Sequence, residues 1–303
     1  EEERAVDVVN AGLYIVRLSH LKSFLATVKP SPNQREYLLT DVVEWIVAQG
    51  GLADVLVAED PAEVAGVNDQ AQLSDVAARI RRQCNHKLMM AGVAMPFPDS
   101  VEVELGVTVG PGTTLEANAQ LRGRTSVGEG CVVATGSVLV DTNLADNVRV
   151  QPYCVLESTV VASSCNLGPF AHTRPGTVLE EGAKVGNFVE TKKTTIGKGA
   201  KASHLSYIGD ATVGAKANIG AGTITCNYDG YRKFPTHIGE GAFIGSDTQL
   251  VAPVNVGDHA VVAAGTTVTK DVPAGALAVS RVEQANRPGY SEAKRRRMER
   301  DKK

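Results

Sequence analysis

Aliphatic residues recur every six positions over the second part of the chain. The cleanest run is Ile238, Ile244, Leu250, Val256, Val262 and Val268, and an earlier run is Val109, Leu115, Leu121, Val127, Val133 and Leu139. A period of six fits neither a helix nor a half-buried strand, but it fits short strands and corners that repeat around a solenoid. The pattern predicts roughly ten three-sided coils of parallel strands over residues 101–275. The spacing does not determine the handedness of the solenoid.

The six-residue rhythm slips after Leu139, and farther along a polar, aromatic and basic segment breaks it. Between Ile219 and Ile238 the sequence reads TITCNYDGYRKFPTH. An insertion in a solenoid leaves the stack as an external loop, often on the binding face. We therefore expect an external loop over residues 225–236.

The segment upstream of the repeats has a different pattern. Residues 1–67 read as mixed α/β, with a strand at 13–16 and a helix through 41–46, and they amount to less than a domain. Apolar residues at helical spacing predict a connecting helix over 69–90, which Asn68 or Asp69 could cap. The proline-rich segment 95–98 ends this helix before the repeats begin.

Composition and charge exclude several classes of protein. The chain has 303 residues, a formal net charge of -3 and 10% glycine by count (30 residues), which is typical of a globular protein with many turns. This charge gives no reason to expect nucleic acid or an anionic membrane as the main partner, and no apolar run approaches the ~18 residues of a membrane span. The five cysteines show no metal-site spacing, which favours a reducing cytoplasm.

Both ends of the sequence carry runs of charge. The chain begins with three glutamates at positions 1–3 rather than Met, and we interpret it as a fragment of a longer protein. Seven of the last ten residues, 294–303, are Lys or Arg. A solvated, disordered tail is the favoured interpretation, and contact with phosphate is the alternative.

Chemically versatile side chains concentrate between Arg174 and Lys233. The hexad count makes Ala202 an inward position, so the imidazole of His204 points away from the core and could serve as a general base near neutral pH. Arg174, Lys192 and Lys233 are distant in sequence, yet stacked coils and the loop could bring them together as a phosphate site.

Weaker candidates surround this set. Tyr207, Asn218, Asn227 and Tyr228 could bond sugar hydroxyls or an amide-rich ligand, although such residues near turns are as often structural. The other histidines show no close pairing, which argues against a zinc hydratase. The sequence contains no Gly-x-Ser-x-Gly elbow and no Ser-His-Asp order, which disfavours a covalent acyl-enzyme.

Several motifs resemble one family closely. GPFAHTRPG, VGNFVETKK, HLSYIGDATVG, NIGAGTITCNYDG, IGSDTQLVAPV and AAGTTVT occur in order between residues 166 and 282. They resemble the bifunctional N-acetylglucosamine-1-phosphate uridylyltransferase and glucosamine-1-phosphate N-acetyltransferase of bacterial cell-wall precursor synthesis. Residues 8–165 are similar more loosely, through VNAG, EYLLTD and GVNDQAQL.

The resemblance implies a mainly β fold with a left-handed parallel β-helix, an exception to the right-handed crossover rule. It implies a homotrimer with acetyl-transfer sites between subunits, and four segments: a nucleotidyltransferase remnant (1–67), a helical linker (68–98), the β-helix (99–282) and a basic tail (283–303). It makes His204 the general base. The sugar-phosphate positions are Arg174, Lys192, Tyr207, Asn218 and Lys233, and the acetyl-CoA positions are Ala221, Asn227, Tyr228, Ser246, Ala264 and Arg281.

The resemblance is incomplete at the N-terminus, where the family's nucleotide loop and its Mg²⁺-binding Asp have no counterpart. Asn10 and Asn68 match its uridine-sugar and metal-contact positions. Amide ligands without a carboxylate should bind Mg²⁺ poorly. We therefore expect Mg²⁺ to matter only in the full-length family, and no uridylyl transfer by this chain.

The expected reaction is acetyl transfer from acetyl-CoA to the 2-amino group of glucosamine 1-phosphate, for UDP-N-acetylglucosamine, peptidoglycan and lipopolysaccharide synthesis in the cytoplasm. His204 would deprotonate the amine, and backbone N–H groups near residues 220–222 would stabilise the oxyanion. Two alternatives stay open: a trimeric scaffold without catalysis, and another sugar N- or O-acetyltransferase.

Overall fold

The structure, a computed structural model, describes residues 8–30 and 36–301. The glutamates at 1–3 and the last two lysines of the basic tail lie outside the described residues. The chain divides into two compact units, Glu1–Ala77 and Ala78–Lys303. Within the described ranges, no helix combines the length and hydrophobicity that a membrane crossing requires.

The first unit contains short helices. These are α1 (Leu18–Thr27) and α2 (Asp41–Ala48), and a single 3₁₀ turn covers Pro61–Val64. Phe24 and Val42 are buried, and the ring of Phe24 meets that of Trp45 edge-on at 6.2 Å between centroids. The helix predicted through 41–46 is confirmed. The strand predicted at 13–16 is wrong, because Leu13 and Ile15 are exposed and this run pairs with no strand of the described residues.

A long helix, α3 (Gln70–Met90), follows, as the apolar spacing predicted. Its first turn is capped by Asp69, whose Oδ1 accepts the backbone N–H of Gln72 at 2.8 Å. The Gln72 side chain in turn accepts the N–H of Asn68 at 2.7 Å. Farther along, the buried Asn85 donates to the carbonyls of Pro98 and Val101, which joins the helix to the start of the repeats.

Residues 102–278 form a three-sided solenoid of parallel strands. Its strands are β1 (Glu102–Val103), β2 (Thr108–Val109), β3 (Thr114–Leu115), β4 (Gln120–Arg122), β5 (Ser126–Val127), β6 (Val132–Val133), β7 (Val138–Val140), β8 (Asn143–Leu144), β9 (Arg149–Val150), β10 (Val155–Glu157), β11 (Val160–Val161), β12 (Asn166–Leu167), β13 (His172–Thr173), β14 (Val178–Leu179), β15 (Lys184–Asn187), β16 (Glu190–Ile196), β17 (Lys201–His204), β18 (Tyr207–Val213), β19 (Asn218–Ile219), β20 (Ile224–Cys226), β21 (Thr236–Ile238), β22 (Phe243–Ile244), β23 (Gln249–Val251), β24 (Val254–Val256), β25 (Val261–Val262), β26 (Thr267–Val268) and β27 (Leu277–Ala278).

Three faces run along the solenoid, and every strand pairs in parallel with the strand of the next coil. Face 1 carries β1, β4, β7, β10, β13, β20, β23, β26 and the first halves of β16 and β18. Face 2 carries β2, β5, β8, β11, β14, β21, β24 and the second halves of β16 and β18. Face 3 carries β3, β6, β9, β12, β15, β17, β19, β22, β25 and β27, one strand for each of ten coils. The predicted parallel solenoid is confirmed.

The interior is a column of mainly aliphatic side chains; Thr173 of β13 and Thr225 of β20 take the inward positions of their strands, and Val109 of β2 is only partly buried. Leu115, Leu139, Leu167, Ile196 and Ile244 are completely buried, as the hexad pattern predicted. Their burial supplies the hydrophobic free energy that a sheet with such short strands requires. Corner positions are filled by threonines and cysteines, and burial raises the pKa of the Cys154 thiol to about 11.

The predicted external loop lies between β20 and β21, over residues 227–235. On face 1, Ile224 pairs with Gln249, which is 25 positions later, whereas neighbouring coils elsewhere on this face pair at 17 or 18 positions. The extra residues therefore leave the stack without disturbing the register of the coils above and below.

The basic tail differs from its predicted state. Residues Tyr290–Arg300 form a fully exposed helix, α4, after the left-handed Gly289. The expectation of a disordered tail is wrong for this segment, because Ala, Lys, Arg, Met and Glu are all good helix formers. The structure shows no buried residue in α4.

Candidate active site

His204 lies at the edge where face 3 meets face 1. It ends β17, directly beside Asn187, which ends the paired strand β15 in the coil below. Ala202, two residues earlier, is completely buried, whereas His204 is exposed at the end of the strand, where the chain turns the corner at the left-handed Leu205. This is the orientation that the sequence predicted.

The imidazole of His204 has one hydrogen-bond partner in the described part of the chain. Its Nδ1 lies 2.6 Å from the amide Oδ1 of Asn187. An amide oxygen can only accept, so Nδ1 carries the hydrogen, and Nε2 of the neutral ring keeps its lone pair. The exposed Nε2 is therefore available to take a proton from a ligand.

The same edge carries three of the predicted acetyl-CoA positions. Ala221, Ser246 and Ala264 each come directly before a corner residue with positive φ, as His204 comes before Leu205. Backbone hydrogen bonds from Asp247 to Ala221 and from Gly265 to Ser246 stack these corners coil on coil. The small side chains above His204 thus leave an open strip along the edge.

Arg281 extends this strip past the last coils. Its Nη1 donates to the carbonyl of Ala264 at 3.1 Å, and its remaining guanidinium donors are exposed. The structure therefore brings Arg281 to the same edge as the predicted acetyl-CoA positions Ala221, Ser246 and Ala264.

Face 1 presents a polar patch around the corner from His204. Tyr207 begins β18 in register with Glu190 of β16. The carboxylate of Glu190 accepts from Nη1 of Arg174 at 2.9 Å, with both side chains about half exposed. Lys192 lies two residues beyond Glu190, in register with Gly209, which has no side chain to cover it.

The external loop brings Lys233 to Lys192. The two ammonium groups are close enough that Lys233, followed by Arg174, lowers the pKa of Lys192, while the carboxylate of Asp210 acts in the opposite direction. The three cations that the sequence singled out as a phosphate site therefore lie near enough for Lys233 and Arg174 to act on the charge of Lys192. Three positive charges in close proximity favour the binding of an anion.

Two other predicted ligand positions lie in the loop itself. Asn227 is only 6% exposed, and its Nδ2 donates to Asp210 Oδ2 at 2.6 Å. Tyr228 is exposed and donates its hydroxyl to the carbonyl of Gly230. The side chain of Asn227 is thus engaged with the neighbouring coil, whereas the ring of Tyr228 is accessible.

Asn218 is separated from the cation cluster within this chain. It begins β19 on face 3, in register with Lys201 and Phe243. Lys192 and Tyr207 lie on face 1, so the fold of one chain does not bring Asn218 beside them.

Sequence reasoning did not single out three polar neighbours of these residues. Asn187, Glu190 and Asp210 bond His204, Arg174 and Asn227, respectively. Each partner lies 16 or 17 positions away, which is about one coil. Counting one coil from each candidate would have found them, since a parallel solenoid stacks such positions.

The described residues do not fit a magnesium site. The side chain of Asn10 is used locally, accepting from Gly12 N–H and donating to the Tyr14 hydroxyl. Within residues 8–30 and 36–301, no three His, Cys, Asp or Glu side chains come together in a group that could hold a metal ion. Asn10 and Asn68 therefore supply amide groups without the carboxylates that Mg²⁺ prefers.

Comparison with known sequences first identifies the class of protein. The family described as "Bacterial transferase hexapeptide (six repeats)" matches residues 235–270, which form the strands from β21 to β26. The chain is thus a hexapeptide-repeat protein, and its fold class is the predicted left-handed parallel β-helix.

Longer matches are to curated proteins that carry one name. The chain is 47% identical over 294 residues to the bifunctional protein GlmU of Trichlorobacter lovleyi, covering 97% of this chain and 64% of that protein. It is 48% identical over 290 residues to the bifunctional protein GlmU of an Anaeromyxobacter species, covering 96% of this chain and 59% of that protein. The chain is a homologue of the GlmU proteins and spans a little under two thirds of their length. The resemblance seen in its motifs is confirmed.

Among solved structures, the chain is similar to the UDP-N-acetylglucosamine acyltransferase from Campylobacter jejuni. The TM-score is 0.40 at 16% sequence identity, covering 50% of this chain and 66% of that chain. A likeness of this size adds nothing to the argument about function.

Proposed function

We propose that this chain transfers the acetyl group of acetyl-CoA to the 2-amino group of glucosamine 1-phosphate. The product, N-acetylglucosamine 1-phosphate, would serve UDP-N-acetylglucosamine synthesis and, through it, peptidoglycan and lipopolysaccharide synthesis. The observation that carries the proposal is the pairing of an exposed, oriented imidazole at His204 with a three-cation cluster on the adjoining face. The homology to GlmU proteins supports it.

The proton transfer is assigned to His204. Its Nε2 accepts a proton from the 2-ammonium group, while Asn187 keeps the hydrogen on Nδ1 and fixes the plane of the ring. The amine lone pair then attacks the thioester carbonyl carbon, the C–N bond forms, and the C–S bond breaks. The sulfur leaves as a thiolate and takes up the second proton, which the attacking nitrogen loses as the amide forms.

The oxyanion of the tetrahedral intermediate needs a backbone donor near His204. Of the three N–H groups at 220–222, Gly220 donates to Ile244 and Gly222 donates to Leu205. No backbone acceptor is found for Ala221 within the described residues, and this position adjoins His204 along the edge. We therefore narrow the predicted oxyanion donor to the N–H of Ala221.

The phosphate of the sugar is assigned to the cation cluster. Arg174, Lys192 and Lys233 supply charge-assisted donors, and a dianion would relieve the repulsion that lowers the pKa of Lys192. Tyr207 and Asn218 remain proposed contacts to the sugar. Asn218 is on another face of this chain, so its participation fits a site completed by a second copy in the proposed homotrimer.

Acetyl-CoA is proposed to lie along the strip of small residues above His204. Ala221, Ser246 and Ala264 leave room for an extended pantetheine, and Arg281 offers free guanidinium donors at the far end. Tyr228 and the backbone of Asn227 are proposed as further contacts. A cytoplasmic location is in keeping with five free cysteines.

Thiol release from acetyl-CoA tests the proposal, with glucosamine 1-phosphate, glucosamine and no acceptor compared in the same buffer. We expect release that depends on the phosphate, because the cation cluster has no partner on free glucosamine. Equal release with glucosamine would favour a broader sugar acetyltransferase. No release with either acceptor from a folded oligomer would refute the proposal and favour the scaffold.

A further inference from the structure

The external loop 227–235 is held in shape by hydrogen bonds between its own residues. The N–H of Phe234 donates to the carbonyl of Asn227 at 2.9 Å and closes the loop at its base. At the tip, Asp229 Oδ1 accepts the N–H groups of Tyr231 and Arg232. The loop therefore moves as a unit, and its position depends on how its base is attached.

Few polar contacts attach the loop to the neighbouring coil. In the described part of the chain, one hydrogen bond joins the loop to a neighbouring coil. Asn227 Nδ2 donates to the carboxylate oxygen Oδ2 of Asp210 at 2.6 Å. A bond from a neutral amide to a carboxylate is short and strong, and Asn227 is shielded from water at 6% exposure. Lys233 of the loop also approaches Lys192 of a neighbouring coil, and these two like charges repel each other.

Gly209 makes this attachment possible. A Cβ at this position would lie 2.8 Å from Asn227 Nδ2 and would collide with the Tyr207 hydroxyl. The absence of a side chain lets Asn227 reach over β18 to Asp210. The sequence Gly209-Asp210 therefore provides both the opening and the acceptor.

We propose that Asp210 is a positioning residue: by accepting the hydrogen bond of Asn227, it fixes the external loop 227–235 so that Lys233 completes the anion site with Lys192 and Arg174. The carboxylate itself does not touch the substrate. This inference rests on the proposed function for its kinetic consequences. Its structural content, the attachment of the loop, stands apart from the identity of the ligand.

The position of Asp210 allows matched variants. Its φ is +49°, a left-handed conformation that Gly and Asn adopt readily. Asp210→Gly removes the acceptor without backbone strain, and Asp210→Asn keeps an amide oxygen that can still accept from Asn227. Asp141 occupies a left-handed corner with φ +48° in an early coil, so Asp141→Gly is the control for corner stability.

The first readout is limited trypsin cleavage after Arg232 and Lys233, followed by mass spectrometry. We expect Asp210→Gly to raise the cleavage rate at least about tenfold, and Asp210→Asn and Asp141→Gly to stay within about threefold of the parent chain, because cleavage tracks the open population. Unchanged cleavage in Asp210→Gly would overturn the proposal. Equal acceleration in Asp210→Asn would also overturn it, since charge rather than the bond would then matter.

The second readout is steady-state kinetics with glucosamine 1-phosphate. Asp210→Gly should raise KM about tenfold with kcat within about threefold, because the loop contributes to binding in ground and transition states alike. A fall in kcat with KM unchanged would contradict a role in the anion site. If the parent chain itself releases no thiol, the proposed function fails, and trypsin cleavage still decides the role of Asp210.

Exchanging the amide and the carboxylate between positions 227 and 210 controls for a single variant that fails to fold. Asn227→Asp places two carboxylates against each other and should open the loop, whereas Asn227→Asp combined with Asp210→Asn restores an amide–carboxylate pair. We expect the double variant to recover the slow cleavage and most of the low KM. A double variant as impaired as Asn227→Asp alone would overturn the proposal.

Discussion

At the scale of single residues, the clearest electrostatic feature is the crowding around Lys192. The ammonium of Lys233, and then the guanidinium of Arg174, lower the pKa of Lys192. A lysine with a lowered pKa binds fewer protons in the folded chain than in the unfolded one. Its contribution to the free energy of unfolding therefore rises as the pH increases from below its folded pKa towards its unfolded pKa. At neutral pH the repulsion among Lys192, Lys233 and Arg174 therefore favours the binding of an anion between them.

Selective acylation checks this feature. At about pH 9, acetic anhydride should modify Lys192 faster than Lys198, whose pKa is raised by the contact of its Nζ with Glu181 at 2.7 Å. Inorganic phosphate should slow the modification of Lys192 and leave Lys198 unchanged. Equal rates at the two lysines without phosphate would contradict the assigned crowding.

Arg174 is expected to act mainly in binding. Its guanidinium is fixed by Glu190 at 2.9 Å, so Arg174→Ala should raise KM for glucosamine 1-phosphate about tenfold or more and change kcat less. Steady-state kinetics measure the effect. Arg149→Ala on face 3 is the control, and an unchanged KM in Arg174→Ala would remove Arg174 from the phosphate site.

At the scale of strands and loops, the pairing of β15 with β17 sets the geometry of the imidazole. Asn187 and His204 are in register because Gly186 lets the chain pass close to Ser203. A Cβ on Gly186 would collide with the carbonyl of Ser203. The hydrogen bond to His204 thus depends on the glycine that directly precedes Asn187.

Gly186→Ala should therefore separate these strands locally. We expect kcat to fall at least about tenfold and the melting temperature to drop, because overpacking costs about 1–3 kcal/mol. Gly66→Ala is the control, since a Cβ there meets nothing within 4 Å and the backbone is not left-handed. Thermal melts and thiol release on both variants measure the difference, and full activity in Gly186→Ala would show that the register tolerates the change.

The strands were predictable to different degrees. The hexads that include Leu115 and Ile244 marked the interior correctly, since a repeated pattern in a solenoid reports the same inward position each time. The strand predicted at 13–16 was wrong, because an apolar stretch forms a strand only when it can pair with another strand. The bond between Asp210 and Asn227 spans 17 positions, which is about one coil, so the stacking of coils could have predicted it, whereas the aliphatic hexads alone do not mark polar partners.

At the scale of the whole molecule, the hydrophobic core belongs to the second unit. The buried cluster runs from Val93 to Val272, with Leu88 and Met89 of α3 packed against it. In the first unit, Val9, Leu52 and Leu56 are almost fully exposed. The solenoid therefore has its own source of stability.

Deletion of residues 1–67 tests this independence. The melting temperature of the shortened chain, followed by far-ultraviolet circular dichroism, should lie within about 5 °C of that of the full chain, because the buried core is retained. Loss of the cooperative β-sheet transition would show that the solenoid depends on the first unit.

We propose His204, oriented by Asn187, as the base for acetyl transfer. The most direct measurement is kcat for thiol release with saturating glucosamine 1-phosphate in His204→Ala, beside His237→Ala as a control for an exposed histidine on face 2. We predict a loss of about 10² to 10⁴ in His204→Ala, the usual contribution of a positioned base, and near-parent activity in His237→Ala. A loss below about threefold in a folded His204→Ala variant would contradict the account.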